Sequence, residues 1–236
     1  MRFTRIINRS SGILTQIYEH PFNQQLYSGT LCSQKFRSYL EQDELYLRDF
    51  SLALSLVSSR FKNEQHAQHF KQLSEDVLKT ERKVHLKYLH GNFASRFFSE
   101  SKRRKIPVIA DYTAHLLHHA KEASIEEAIA SLAACYRAYS GLGTIYTQWG
   151  WQENLSTHPY RDWINSYLSP RFVSSAELII DIIEELTENN FSSQQEERIF
   201  RAFHQSAKFE LQFFDEVFLS KEDEDSEPQF KEMSLT

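Results

Sequence analysis

A chain of 236 residues that is 41% hydrophobic has material for a sizeable core in one helical domain, and six Gly and five Pro are too few turn formers for an all-β fold. The net charge of −5 leaves no broad basic face, and the short run Ser101-Lys102-Arg103-Arg104-Lys105 reads as a solvated loop, so no nucleic-acid partner is expected. Two cysteines give no disulfide framework, the N-terminus carries no signal-peptide pattern, and no stretch approaches the ~20 apolar residues of a membrane span, so a cytoplasmic protein without a membrane partner is expected.

The periodicity is helical nearly throughout. A first helix is expected from Arg2 to Glu19. His20-Pro21-Phe22 opens a short second one, with Pro21 tolerated in its first turn, and Gly29-Thr30-Leu31 breaks it. Ser33 is placed to cap a long helix with the apolar stripe Phe36, Leu40, Asp43, Leu47, Phe50, Leu54, Val57. Another helix is expected from Glu64 to Leu89, stopping near Gly91-Asn92. Pro107 precedes a helix carrying Tyr112, His115 and Leu116. Ser124-Ile125-Glu126-Glu127 fits a capping box and opens a helix with the stripe Ile125, Ile129, Leu132, Cys135, Tyr139, Leu142, Tyr146. His158-Pro159-Tyr160 begins a short helix through Tyr167; Ser169-Pro170 ends it and starts the next, to about Glu188. Ser193-Gln194-Gln195-Glu196 fits a second capping box, opening a helix with Phe200, Phe203, Ala207, Glu210, Leu211, Phe214 and Val217 on one face. From Lys221 the chain turns acidic and polar. The expected organisation is one all-α domain over residues 1–219 and an acidic, disordered tail over 220–236.

Three of these stripes are each interrupted by one polar, reactive residue: Asp43, Cys135 and Glu210. A carboxylate on a buried face costs free energy unless the interior uses it. At the edge of its stripe either acid would instead reach water, and on residue type alone Cys135 reads as a small buried hydrophobe. Together the three suggest an interior pocket with a thiol and two carboxylates, the equipment of nucleophilic catalysis with acid/base help.

The segments His20-Pro21-Phe22, Gly29-Thr30-Leu31, Lys35-Phe36, Tyr39-Leu40, Gln42-Asp43 and Tyr46-Leu47 resemble the opening of the TenA family, also called thiaminase II or aminopyrimidine aminohydrolase. Cys135-Tyr136-Arg137-Ala138-Tyr139 with Leu142-Gly143 resembles its nucleophile helix, Trp163-Ile164-Asn165-Ser166-Tyr167 its aromatic wall, and Phe209-Glu210-Leu211-Gln212-Phe213-Phe214 its final acidic helix. The resemblance runs over roughly residues 15 to 218. It implies a haem-oxygenase-like helical bundle in a single domain, without haem or any other cofactor or metal, assembled as a homotetramer. It also implies a hydrolase of thiamine salvage. The substrate class would be aminopyrimidines: 4-amino-5-aminomethyl-2-methylpyrimidine losing ammonia, or thiamine losing its thiazole, to give 4-amino-5-hydroxymethyl-2-methylpyrimidine.

By resemblance Cys135 is the nucleophile that adds to the pyrimidine ring, and Glu210 moves protons to a ring nitrogen or the leaving group. Asp43 accepts a hydrogen bond from the 4-amino group, and Tyr46, Tyr112, Tyr139 and Tyr167 line the slot. A flat ring with a donor–acceptor edge suits aromatic faces and a carboxylate. The chain departs from the family with Ala134 before the cysteine, which suits a helix interior and is tolerable, and with Phe209 before Glu210 and Phe214 where Trp is common, which lose indole or hydroxyl donors and are expected to shift which leaving group is accepted. Cys32 has no such match and reads as structural. Rival readings are a non-catalytic pyrimidine-binding or regulatory protein, and a di-iron oxidase using Glu81 and His85, whose i, i+4 spacing could supply half a site.

Overall fold

A computed structural model describes residues 2–88, 104–148, 157–188 and 192–220, with the helical backbone alone over 80–87. The expected helix stop at Gly91-Asn92, the acidic segment from Lys221, and the side chains of Glu81 and His85 lie outside the described residues. Within them the regular elements are helices: α1 (Arg2–Arg9), α2 (Ser11–Tyr18), α3 (Pro21–Ser28), α4 (Ser33–Arg60), α5 (Glu64–Tyr88), α6 (Pro107–Glu122), α7 (Ile125–Gln148), α8 (Arg161–Leu168), α9 (Pro170–Thr187) and α10 (Ser193–Leu219). None of them is long and apolar enough to cross a membrane.

Local chemistry sets most boundaries as expected. Pro21 stands at the start of α3, the His20 ring nitrogen Nδ1 accepts from the Phe22 amide at 3.1 Å, and Gly29 ends the helix at φ 74°, a conformation that favours glycine. Three boundaries differ. The expected first helix is two, broken at Ser10, whose buried hydroxyl bonds the His204 ring at 3.2 Å on α10. Cys32, with no capping side-chain bond, is the N-cap of α4, and Ser33 is its first helical residue. The capping box of α10 is Ser192 with Gln195, one position earlier than expected, because tandem serines offer two registers and Ser192 takes the extended conformation that a cap needs.

The bundle is built around α7, which packs against α10 on one side and α9 on another, while α4 lies along α5 and α6. Its buried surface is rich in small residues: Ala128, Ala130, Ala133, Ala134 and Ala138 are fully enclosed, and Gly141 and Gly143 continue the run. Small side chains let neighbouring backbones come close. A Cβ at Gly143 would stand 3.2 Å from the Tyr167 carbonyl oxygen, so this glycine sets the approach of α8 to α7. The C-terminal ends are tied as well: Arg60 at the end of α4 donates to the carbonyls of His119 (3.2 Å), Ala120 (2.8 Å) and Ala123 around the end of α6.

Candidate active site

The α4, α5, α7, α8 and α9 helices enclose a cleft of about 700 Å3, its open mouth included. Its floor is made by Asp43 and Tyr46 of α4, Cys135 and Tyr139 of α7 and Tyr167 of α8; apolar walls come from Leu47, Phe50, Leu73, Val77, Tyr136 and Phe172. The spacing explains the convergence, since Asp43, Tyr46, Leu47 and Phe50, like Cys135 and Tyr139, are three or four residues apart and share a helix face.

Asp43 is 3% exposed although it is a carboxylate. Cys135 is half-buried among the almost fully enclosed small residues of α7, and it lines the cleft. Tyr139 stacks on Tyr167 with ring centroids 4.7 Å apart and a 27° interplanar angle, and its hydroxyl bonds that of Tyr39 at 2.8 Å. Trp163 stands edge-on to Tyr167 at 4.7 Å, and Phe172 closes the other side edge-on at 5.0 Å. These rings form a rigid flat-walled slot.

Glu210 and Tyr112 stand behind this wall and are not among the residues that line the cleft. Tyr112, which the resemblance implies at the slot, has its hydroxyl donating to Glu210 Oε1 at 2.8 Å and its ring against the lining residue Tyr46 at 4.9 Å. Tyr112 projects from α6, which packs on α10, and so meets the acid. The Tyr46 hydroxyl is buried beside the Tyr112 hydroxyl and the Cys135 thiol but makes no well-formed hydrogen bond. It is a donor held at the cavity without a full partner, a costly arrangement that a bound ligand would relieve.

Burial governs the protonation states. Glu210 is pushed up to about 8, chiefly by loss of water; the Tyr112 hydrogen bond pulls down, the Asp43 charge adds to the rise, and the Cys135 thiol lowers it again. Burial and the nearby Glu210 charge likewise hold the Cys135 thiol well above its ordinary range. The two groups are coupled: the neighbouring thiol lowers the acid, and the acid raises the thiol. Burial also keeps Tyr46, Tyr112 and Tyr139 as phenols. At neutral pH the site therefore holds a neutral thiol beside an acid poised near its midpoint, able to give or take one proton.

Sequence reasoning missed Tyr136, Phe172, Leu73 and Val77 on the walls and the pair Asp76–Arg171 at the mouth. Tyr136 adjoins Cys135 and could have been suspected. Nothing in the periodicity of α5 or α9 marks the others, because the partner face of each helix is fixed only by packing.

Comparison with known proteins places this site in a family. The chain is 29% identical over 217 residues to the thiamine biosynthesis multifunctional protein ThiED of Corynebacterium glutamicum; the match covers 91% of this chain but only 27% of that protein's length. It is 27% identical over 202 residues to the aminopyrimidine aminohydrolase of Halalkalibacterium halodurans, covering 85% of this chain and 88% of that one. The solved TenA homologue of P. horikoshii OT3 superposes with a TM-score of 0.78 at 27% identity, over 92% of this chain and 98% of that one. A domain of unknown function from Shewanella denitrificans OS217 with a haem-oxygenase-like fold, 13% identical, superposes at 0.67 over 91% and 89%, so the fold is haem-oxygenase-like. The TENA/THI-4/PQQC family model matches residues 8–219, nearly all of the described helices and every residue of the cleft, and the chain belongs to that family.

Proposed function

We propose that this chain hydrolyses the bond between a pyrimidine's exocyclic CH2 group and a nitrogen leaving group, taking 4-amino-5-aminomethyl-2-methylpyrimidine, thiamine, or both. The observation that carries the reading is the convergence of a thiol and a buried carboxylate on one aromatic slot, with a second carboxyl directly behind the thiol. The flat walls of Tyr139, Tyr167 and Phe172 suit an aromatic ring, and Asp43 on the floor suits its amino edge. The relatives named aminopyrimidine aminohydrolase support the same substrate class.

In this reading the Cys135 sulfur bonds to the ring carbon beside the one that bears the CH2 group. The thiol proton passes to Glu210, and the ring's electron pair settles on a ring nitrogen. That pair then returns and the C–N bond breaks: a primary amine leaves with a proton from Glu210, whereas the quaternary nitrogen of thiamine takes the bonding pair and leaves as a neutral thiazole, the Glu210 proton then passing to solvent. Water adds to the exposed methylene, giving its proton back to Glu210; expulsion of sulfur with that proton restores the ring and the thiol. The net change is water in and amine out. Glu210 is fitted to this exchange because its acidity is tuned close to neutrality.

Ammonia release from the aminomethylpyrimidine, measured beside thiamine cleavage with wild type and Cys135→Ser, tests the proposal. Release from the wild type that falls about a thousandfold or more in the variant is expected. Equal rates in both proteins would remove Cys135 from the chemistry. Tight binding of the hydroxymethylpyrimidine with no release from either substrate would make the chain a binding protein.

A further inference from the structure

The cleft ends at its mouth in two charged side chains. Arg171, in the first turn of α9, is 64% exposed, and Asp76 of α5 is 16% exposed. The Arg171 guanidinium grips Asp76 side-on: Nε donates to Oδ2 at 3.0 Å and a terminal nitrogen reaches Oδ1, while Gln72 Nε2 donates to Oδ1 at 2.7 Å. The pair ties α5 to α9 beside the opening. The serines that share this end of the cleft have spent their protons on backbone: Ser166 donates to the Trp163 carbonyl at 2.6 Å, Ser169 to that of Ser166 at 2.7 Å and Ser175 to that of Arg171 at 2.9 Å. Fixed charge is thus what distinguishes one substituent from another there.

With buried Glu210 and Tyr112 behind Cys135, a substituent much larger than the CH2 group has to extend toward the open mouth. A small amine ends well inside the slot. A ring attached through a quaternary nitrogen, as in thiamine, carries a permanent positive charge toward the end of the cleft that Arg171 and Asp76 line. We propose that the Asp76–Arg171 pair is a specificity determinant that sets how well the cleft accepts a cationic leaving group, its guanidinium opposing and its carboxylate attracting that charge. The inference rests on the pyrimidine reading of the site.

The sign of the effect separates this role from mere bracing of α5 on α9. Arg171→Gln leaves the Asp76 carboxylate uncompensated, and Asp76→Asn leaves the guanidinium uncompensated. In a Cys135→Ser background, which prevents turnover, binding of thiamine and of the neutral 4-amino-5-hydroxymethyl-2-methylpyrimidine is measured by calorimetry at low and physiological salt, with melting curves alongside. Thiamine should bind about two- to fivefold tighter in Arg171→Gln and about two- to fivefold weaker in Asp76→Asn, both effects shrinking with salt. The neutral ligand should be unchanged, and the double variant should return to the parent ratio. Thiamine affinities that move the same way in both single variants, or in step with the neutral ligand, would overturn the inference. So would a double variant that keeps the discrimination of either single one, which also covers the case of a destabilised Asp76→Asn. Absence of thiamine binding in the parent and in Arg171→Gln, with the neutral ligand bound, overturns the inference alone; absence of both ligands overturns the pyrimidine reading and the inference with it.

Discussion

The Tyr112 hydroxyl donates to Glu210 Oε1 across 2.8 Å while the Tyr112 ring stacks on Phe209, the residue before that acid, at 5.3 Å and 22°. One side chain thus fixes both the oxygen and the backbone neighbour of the buried carboxyl. Tyr112→Phe keeps the ring contact and deletes the donor. Since that hydrogen bond favours the carboxylate, its loss drives Glu210 further above about 8. Because Glu210 must be ionised in the free chain to take the Cys135 proton, activity rises with pH through its pKa, and this acidic limb moves to higher pH in Tyr112→Phe. The rate at neutral pH should drop about tenfold. A pH profile of kcat/KM for ammonia release checks both; an unmoved limb would assign it to another group.

Glu210 also shapes stability. A folded pKa of about 8 lies above the ordinary value of 4.5, so between these values the unfolded chain has released a proton that the folded one holds. The contribution of this residue is at its best below pH 4.5 and is lost progressively as pH rises toward 8. Glu210→Gln removes the ionisation, so it should gain about 1–3 kcal/mol over wild type at pH 8 and close to nothing at pH 4. Urea unfolding at the two pH values reads the difference; a gain independent of pH would point to packing instead.

Two glycines make a matched pair for a test of packing on α7. A Cβ at Gly141 would overlap the Tyr18 ring, whose hydroxyl reaches the Arg137 carbonyl at 3.4 Å and joins α2 to α7. Gly141→Ala should therefore destabilise by about 1–3 kcal/mol. Gly12 in the first turn of α2 has nothing within 4 Å of such a Cβ, and Gly12→Ala should be neutral or slightly stabilising. Thermal melts, with about 2–4 °C expected per kcal/mol in a chain of this size, decide between them.

The helices and the floor of the site were legible because each lies within one periodic segment. Asp43 and Cys135 broke their stripes and do face the cleft; Glu210 broke its stripe and is buried, though behind the thiol. Tyr112 is placed at the slot by the resemblance alone; periodicity tells that a face is buried and not what it is buried against, so its bond to Glu210 had no mark in its own helix. The break at Ser10 left no mark in the apolar pattern because His204, nearly two hundred residues away, supplies the reason for it. Asp76 and Arg171 read as ordinary surface charges until α5 and α9 are seen side by side.

The two thiols differ in reach. Cys32 is open to solvent at the start of α4, whereas Cys135 is half-buried and lines the aromatic slot. A bulky maleimide should tag the native chain once, at Cys32, and a second tag should appear only when the helices around the slot part or the chain unfolds. Mass spectrometry of tagged protein would then count those openings molecule by molecule, and a ligand seated in the slot should slow the second tag without touching the first. The chain carries its own clock for how often its interior is open to the outside, with a built-in reference in the same molecule.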